Sequence, residues 1–324
     1  MVSSQKVYIS IIIYKRHNIL FLPYPKNIFP NNLRILIITF SNLTDEGMYK
    51  MLNERYQGMA FEKKFFPRLT TEEVKHLKKD DALIVLPIGA VEQHGPHLPI
   101  YTDTLIGEGV LIEAFELLDE SDNIWMLPPI PYGKSTEHLT RSGTISLSSA
   151  TLYAFVMDIA KSIQQSGFKK LLLFNTHGGN HDLLNMVARD IRVETGMMVF
   201  RLNPSSEKTN SLISEKEQQY GIHGGDVETS MVLSFKSNWV DMEKSAREFV
   251  HLPEETKHLY LKGSSYFAWV IDDISHSGVA GDATKASVEK GTLINKSVAE
   301  TVVEALREMA RFDIESIKSE TVKQ

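Results

Sequence analysis

The sequence predicts an α/β fold in which a parallel or mostly parallel sheet is covered by helices, and three observations carry that prediction. From about residue 66 onward, strand-like and helix-like segments alternate regularly. Two short, nearly continuous apolar runs, 82–88 and 170–174, have the character of strands buried on both faces. Between them, apolar residues recur at spacings of three and four, the period of a helix with one face turned to a core. Taken in order, 82–88 is the first strand, 104–118 a helix and 124–128 a strand. Leu152, Phe155, Val156, Ile159, Ala160 and Ile163 then mark one helical face. The run 170–174 is the next strand, followed by a helix over 182–193, a strand over 197–202 and a long amphipathic closing helix over 288–312. Residues 203–219 are polar and poor in aromatic and β-branched types, which predicts a mobile loop, and 246–276 is irregular.

Composition narrows the function classes. A chain of 324 residues with 42% hydrophobic and 23% charged residues is large enough to bury a full core as one α/β domain with extra arms. A formal net charge of −6 excludes the basic surface that nucleic acid or an anionic membrane rewards, so a small-molecule substrate fits better. No apolar run approaches the roughly 20 residues that span a bilayer, and no small-residue cleavage site follows the first apolar run. There is no cysteine, so any metal must be held by His, Asp and Glu, and the cytoplasm is the expected compartment. The first 44 residues carry five basic and no acidic side chains and differ from the rest. They are read as part of an extension over 1–60, non-native or poorly ordered, with Met48, Met51 or Met59 as alternative starts; 61–324 is then the functional domain.

Four segments carry the chemistry. The stretch 87–104, PIGAVEQHGPHLPIYTDT, follows the first strand and so places Glu92, His94, His97 and Asp103 in a loop at its carboxyl end, where open α/β sheets bind ligands. Hard or borderline cations want carboxylate oxygen and neutral imidazole, and two neighbouring cations need a bridging carboxylate to offset their repulsion, a part that suits Asp103. Read alone, histidines in a Gly/Pro loop fit a surface turn equally well. The pattern repeats at 171–180, LLLFNTHGGN, where a second strand ends at His177, and Gly178 and Gly179 allow backbone to approach a ligand. At 221–231, GIHGGDVETSM sets His223 and Glu228 five apart at the start of a helix. The loop 129–147, PIPYGKSTEHLTRSGTISL, contributes Ser135, Glu137 and His138 as candidates to close over substrate. A last loop, 275–291, carries His276 and Asp282 and is read as shaping the site or an oligomer contact.

Together these segments resemble the creatininase, or creatinine amidohydrolase, family over about 69–312. The resemblance implies a three-layer α/β/α sandwich, a homohexamer and a binuclear divalent metal site holding zinc, manganese or iron. It carries the metal-ligand positions onto Glu92, His94, Asp103, His177 and Glu228. Members that act on creatinine have a Tyr and a Glu after the motif histidine, the Glu being a metal ligand, and use tryptophans to cover the substrate. Here Gly178 and Gly179 stand in those places, the stretch before His223 has no tryptophan, and RSGT at 141–144 replaces an aromatic-Pro-Gly-Thr sequence. The chain is therefore similar to the GG-type branch, which includes deformylases and a peptide-trimming member.

The expected function is divalent-metal-dependent hydrolysis of a non-peptide C–N bond in an amide, cyclic amide or formamide, by a hydroxide bridging the metals. Glu92, Asp103 and His177 would hold one ion, and His94, Asp103 and Glu228 the other. His223, or else His138, would protonate the departing nitrogen. Ser135 and the N–H groups at Gly178 and Gly179 would position substrate. The rival readings are a two-metal phosphoester hydrolase, which needs basic residues to clamp phosphate and finds only Lys134 and Arg141 in these loops, and a non-catalytic metal-binding protein.

Overall fold

The computed structural model describes residues 56–317. The chain divides after Arg55, and the expected extension over the first 44 residues, with Met48 and Met51, lies outside the described residues. Residues 56–60 belong to the body: Ala60 is completely buried in the core, so the body starts ahead of residue 61.

Four strands form the central sheet: β1 (Leu83–Ile88), β2 (Ile124–Met126), β3 (Lys170–Asn175) and β4 (Met198–Leu202). All pairs are parallel and the order is β2-β1-β3-β4. Strands β1 and β3 occupy the centre, which is why they read as unbroken apolar runs rather than as alternation. The period of two still decides which layer each side chain meets. Leu83, Val85, Leu172 and Phe174 face one core, while Ile84, Leu86, Ile88, Leu171 and Leu173 face the other.

Helices fill both layers. On the first face lie α1 (Thr102–Glu116), α2 (Asp226–Lys236) and α3 (Val288–Arg311), contributing Val110, Phe115, Val232, Ile294 and Val302. On the second lie α4 (Ser149–Gln165) and α5 (His181–Thr195), with Leu152, Val156, Leu184 and Val187. The result is the three-layer α/β/α sandwich. A separate two-stranded antiparallel ribbon pairs β5 (Arg247–Glu248) with β6 (Gly281–Asp282).

Local sequence explains the boundaries. Ser148 and Ser287 accept the backbone N–H of Thr151 and Lys290 and cap α4 and α3. Helix α5 ends where Gly196 takes φ +71°, a left-handed conformation that suits glycine. Two expectations need correcting. Phe155 is 49% exposed because on a helix it sits about 95° from the centre of the stripe formed by Leu152, Val156, Ala160 and Ile163. The segment 203–219 is not structureless, since it holds a 3₁₀ segment (Glu207–Leu212) and a short helix (Glu215–Tyr220) capped by Ser214.

Leu172 lies in a central strand with no exposed surface. Leu172→Ala should cost about 2–5 kcal/mol, the range for a cavity left by a buried leucine, read as a lower urea midpoint with unchanged far-UV circular dichroism.

Candidate metal centre

Because β1 and β3 are adjacent and parallel, with Ile88 paired to Asn175, the loops after them leave the same sheet edge. The loop after β1 carries Glu92 and His94, and the loop after β3 carries His177. Asp103, expected in a loop, belongs instead to the first turn of α1, where the helix N-terminus favours negative charge. Glu228 comes from the first turn of α2. These five side chains converge. His94 Nε2 lies 3.6 Å from Asp103 Oδ1, 3.8 Å from Glu228 Oε2 and 3.9 Å from Glu92 Oε1. His177 Nδ1 lies 3.5 Å from Asp103 Oδ2, and its Nε2 3.3 Å from Glu92 Oε2. All but Glu228 are buried.

The donor atoms are oriented by backbone. His94 Nδ1 donates to the Glu92 carbonyl at 3.0 Å, leaving the Nε2 lone pair aimed at the carboxylates. His177 Nε2 donates to the Lys134 carbonyl at 3.0 Å, leaving its Nδ1 lone pair toward Asp103. Two sets of three side chains can each reach one ion, Glu92–Asp103–His177 and His94–Asp103–Glu228, and they share Asp103. A third set joins Glu92, His94 and His223. Glu92 Oε2, His94 Nε2 and Asp103 Oδ2 are buried with no hydrogen-bond partner, a costly arrangement unless something binds there.

The charge of the site points the same way. Burial opposes protonation of His94 and His177, yet Asp103 and Glu92 beside them hold both imidazoles up at about 10. A negative field that draws protons onto these nitrogens draws cations equally. Asp103 is pushed above the ordinary carboxylate value by burial and by Glu92. His138 and His223 are held low, at about 4 and about 3, by burial, with the positive charge of His94 adding to it.

Around this centre the asparagines of the N-x-H-x-x-N motif bind loops together. Asn175 accepts the His177 N–H and donates to the His177 carbonyl, while Asn180 donates to Gly89 O and accepts the Lys134 N–H. His138 and His223 stack at 4.2 Å, and each presents a nitrogen 3.6 Å from Glu92 Oε1. Ser135 is fully buried with its hydroxyl 3.3 Å from His177 Nε2, so it supports that ring rather than meeting substrate. Gly178 lines an adjoining cavity, whereas Gly179 is packed tightly: a Cβ there would lie 2.5 Å from His177 Nε2 and 2.4 Å from Lys134 O. Arg141 is spent on Asp272 and on the carbonyls of Ser275 and His276. Lys134 Nζ donates to Thr136 Oγ1. Sequence reasoning gave no role to Gln93, which sits between Glu92 and His94 in the chain, has no chemical signature of its own, and places its amide nitrogen 2.9 Å from His138 Nδ1.

The cavity, about 460 Å³, has His177, His223 and Glu228 on one side and the 203–218 segment, with Asn203, Ser206 and Asn210, on the other. That volume lies within the usual range for small-molecule sites, roughly 300–1,000 Å³.

A carboxylate and imidazole cluster at the carboxyl edge of a parallel sheet, opening on a cavity, defines this chain as an α/β enzyme with a site suited to metal ions. It belongs to the creatininase family, whose model, creatinine amidohydrolase, matches residues 67–306. It is 31% identical over 235 residues to the mycofactocin precursor peptide peptidase of Mycobacterium ulcerans (strain Agy99), covering 71% of this chain and 85% of the relative. It is 26% identical over 265 residues to the creatinine amidohydrolase of Pseudomonas putida, covering 75% and 96%. A solved structure of a candidate creatinine amidohydrolase from Bacteroides fragilis NCTC 9343 aligns with a TM-score of 0.64 at 27% identity, over 78% of this chain and 98% of that one. The chain is thus a hydrolase, similar to GG-type members as well as to creatininase itself. Among the described residues no helix is long and apolar enough to cross a membrane.

Two outcomes follow from the packing. Gly179→Ala should displace His177 or the Lys134 carbonyl and lower metal content and activity together, whereas Gly178→Ala, with open space at its Cα, should fold and load metal normally; elemental analysis of both variants checks this. Glu248 accepts hydrogen bonds from the Ser275 and Ser277 hydroxyls and from the His276 and Ser277 N–H groups. Burial works against its charge, but these donors outweigh it and hold the carboxyl down at about 2. A depressed carboxyl stabilises the fold above its ordinary value of 4.5 and loses that contribution as pH falls toward 2. Glu248→Gln should therefore be less stable at pH 7, by on the order of 1–2 kcal/mol for a partly exposed group, and the gap should narrow as pH falls below 4.5 in urea melts.

Proposed function

We propose that this protein is a metal-dependent hydrolase of an amide C–N bond, working at a two-cation site. The observation that carries the reading is Asp103: one of its oxygens faces His94 and the other His177, members of two different ligand sets, the arrangement a bridging carboxylate requires. Glu92, Asp103 and His177 would hold one divalent ion, and His94, Asp103 and Glu228 the other. Zinc, manganese and iron all suit such a donor set, with choice among them resting on geometry and supply. Bound there, two divalent ions would lower the pKa of water toward neutrality and polarise a carbonyl oxygen.

The chain's own groups do the rest. Glu92 lies within 3.6 Å of both His138 and His223 and sets the electrostatic surroundings of their inward nitrogens. His223, buried and lining the cavity, would hand a proton to the departing nitrogen. Gly178 leaves the cavity wall open beside His177, so substrate backbone or a ring can approach.

The likeness to a peptidase removes the reason to limit the bond to non-peptide amides. The substrate class is an amide, cyclic amide, formamide or peptide amide of small size. A phosphoester hydrolase fits less well, since Arg141 is committed to the 272–276 segment and the cavity is lined by acidic residues with Lys262 as its one Lys or Arg. A homo-oligomer, hexameric by family resemblance, belongs to the same reading.

Purified protein should contain zinc, manganese or iron, and chelation should abolish hydrolysis of a panel of N-formyl compounds, cyclic amides, creatinine and short peptides until one metal is restored. Glu92→Ala and Asp103→Ala should each lose activity by at least about 100-fold and lower metal content. Full activity in a variant stripped of metal overturns the proposal.

A further inference from the structure

The side chain of Gln93 is 7% exposed and lies among the groups that face Glu92. Its Oε1 accepts the Gly95 N–H at 3.0 Å, which fixes which end of the amide is oxygen. Its Nε2, with two hydrogens, has three neighbours: His138 Nδ1 at 2.9 Å, His223 Nε2 at 3.0 Å and Gly278 O at 3.1 Å. Hydrogen-bond arithmetic resolves the excess. The Gln93 backbone carbonyl sits 2.6 Å from His223 Nε2 and can only accept, so His223 Nε2 carries the hydrogen and donates it there. A protonated Nε2 cannot also accept from the Gln93 amide. The two amide hydrogens therefore go to His138 Nδ1 and Gly278 O.

We propose that Gln93 is a positioning residue: its side-chain amide and its backbone carbonyl lock the stacked rings of His138 and His223 in the same Nε2–H tautomer but in opposite orientations, so that one turns an N–H and the other a bare nitrogen toward Glu92. His138 accepts at Nδ1 and so turns an Nε2–H toward Glu92 Oε1, while His223 donates at Nε2 and turns a bare Nδ1 toward the same oxygen. The two histidines then have different work, a division that rests on the hydrolase reading above. His223, which also lines the cavity, presents a bare acceptor nitrogen on its inward side. His138 presents an N–H to Glu92 Oε1, as a fixed donor rather than an acid. Gly278 makes the arrangement possible. Its φ of +86° suits glycine, and a Cβ there would lie 2.2 Å from Gln93 Oε1.

Ring-nitrogen shifts of ¹⁵N-histidine in the zinc-loaded protein read the tautomers directly, each signal assigned by its loss in His138→Gln or His223→Gln. The expected native pattern is hydrogen on Nε2 and a bare Nδ1 for both rings, with the His138 Nδ1 shift displaced by the amide donor. Gln93→Glu keeps the size and the acceptor for Gly95 but replaces the donor with an acceptor, so the His138 hydrogen should move to Nδ1. kcat should fall on the order of 100-fold with KM little changed. Gln93→Met, which leaves both His138 tautomers accessible, should lose less than Gln93→Glu. A native His138 or His223 ring with hydrogen on Nδ1 overturns the inference without any variant, as does a Gln93→Glu protein whose His138 pattern stays native or whose loss merely equals that of Gln93→Met. A native, metal-restored protein that hydrolyses nothing would sink the hydrolase reading instead, and the nitrogen pattern would still decide the part played by Gln93.

Discussion

The structure turns on gathering three carboxylates and two imidazoles, all but Glu228 buried, within a few ångströms of one another at the edge of a hydrophobic sheet. Taking such groups out of water is expensive, and like charges at this range repel strongly in a low-dielectric surround. The protein offsets part of that cost by ringing the cluster with imidazoles that draw up protons, as the raised values of His94 and His177 show. It leaves Glu92 Oε2, His94 Nε2 and Asp103 Oδ2 without hydrogen-bond partners, an arrangement suited to a cation. Everything else near the site can be read as holding those atoms where they are.

Support comes in concentric layers. The carbonyls of Glu92 and Lys134 choose the ligand nitrogen of His94 and His177. Asn175 and Asn180 tie the loop after β3 to Gly89 and Lys134, so that motions of one ligand loop are shared by the next. Beyond them Glu248 gathers the hydroxyls and N–H groups of 275–277, and that turn delivers Gly278 O to Gln93. Arg141 clips the 136–144 loop to the same turn. A side chain displaced in an outer layer is therefore felt at the centre through backbone rather than through charge alone.

The two glycines after His177 divide the labour that their sequence leaves undistinguished. Gly179 is required by close packing against His177, Lys134 and Glu137, while Gly178 faces open space on the cavity wall. A bulky residue at 178 would narrow the cavity from the His177 side and so bears on which molecules enter it, whereas position 179 bears on how His177 is held.

By itself, the sequence determined the alternation of strands and helices and the burial of β1 and β3, because apolar periodicity is a local signal, while the set of five ligand positions was what the family resemblance of its motifs implied. Tertiary structure decided what depends on distant chain segments meeting. That Asp103 sits in a helix first turn, that Ser135 backs His177 and that Arg141 is consumed in a loop contact are properties of relative placement. Gln93 shows the limit most clearly. An amide has no titration, no metal preference and no periodicity to betray it, and its importance exists only where the fold brings His138, His223 and Gly278 around its three polar atoms.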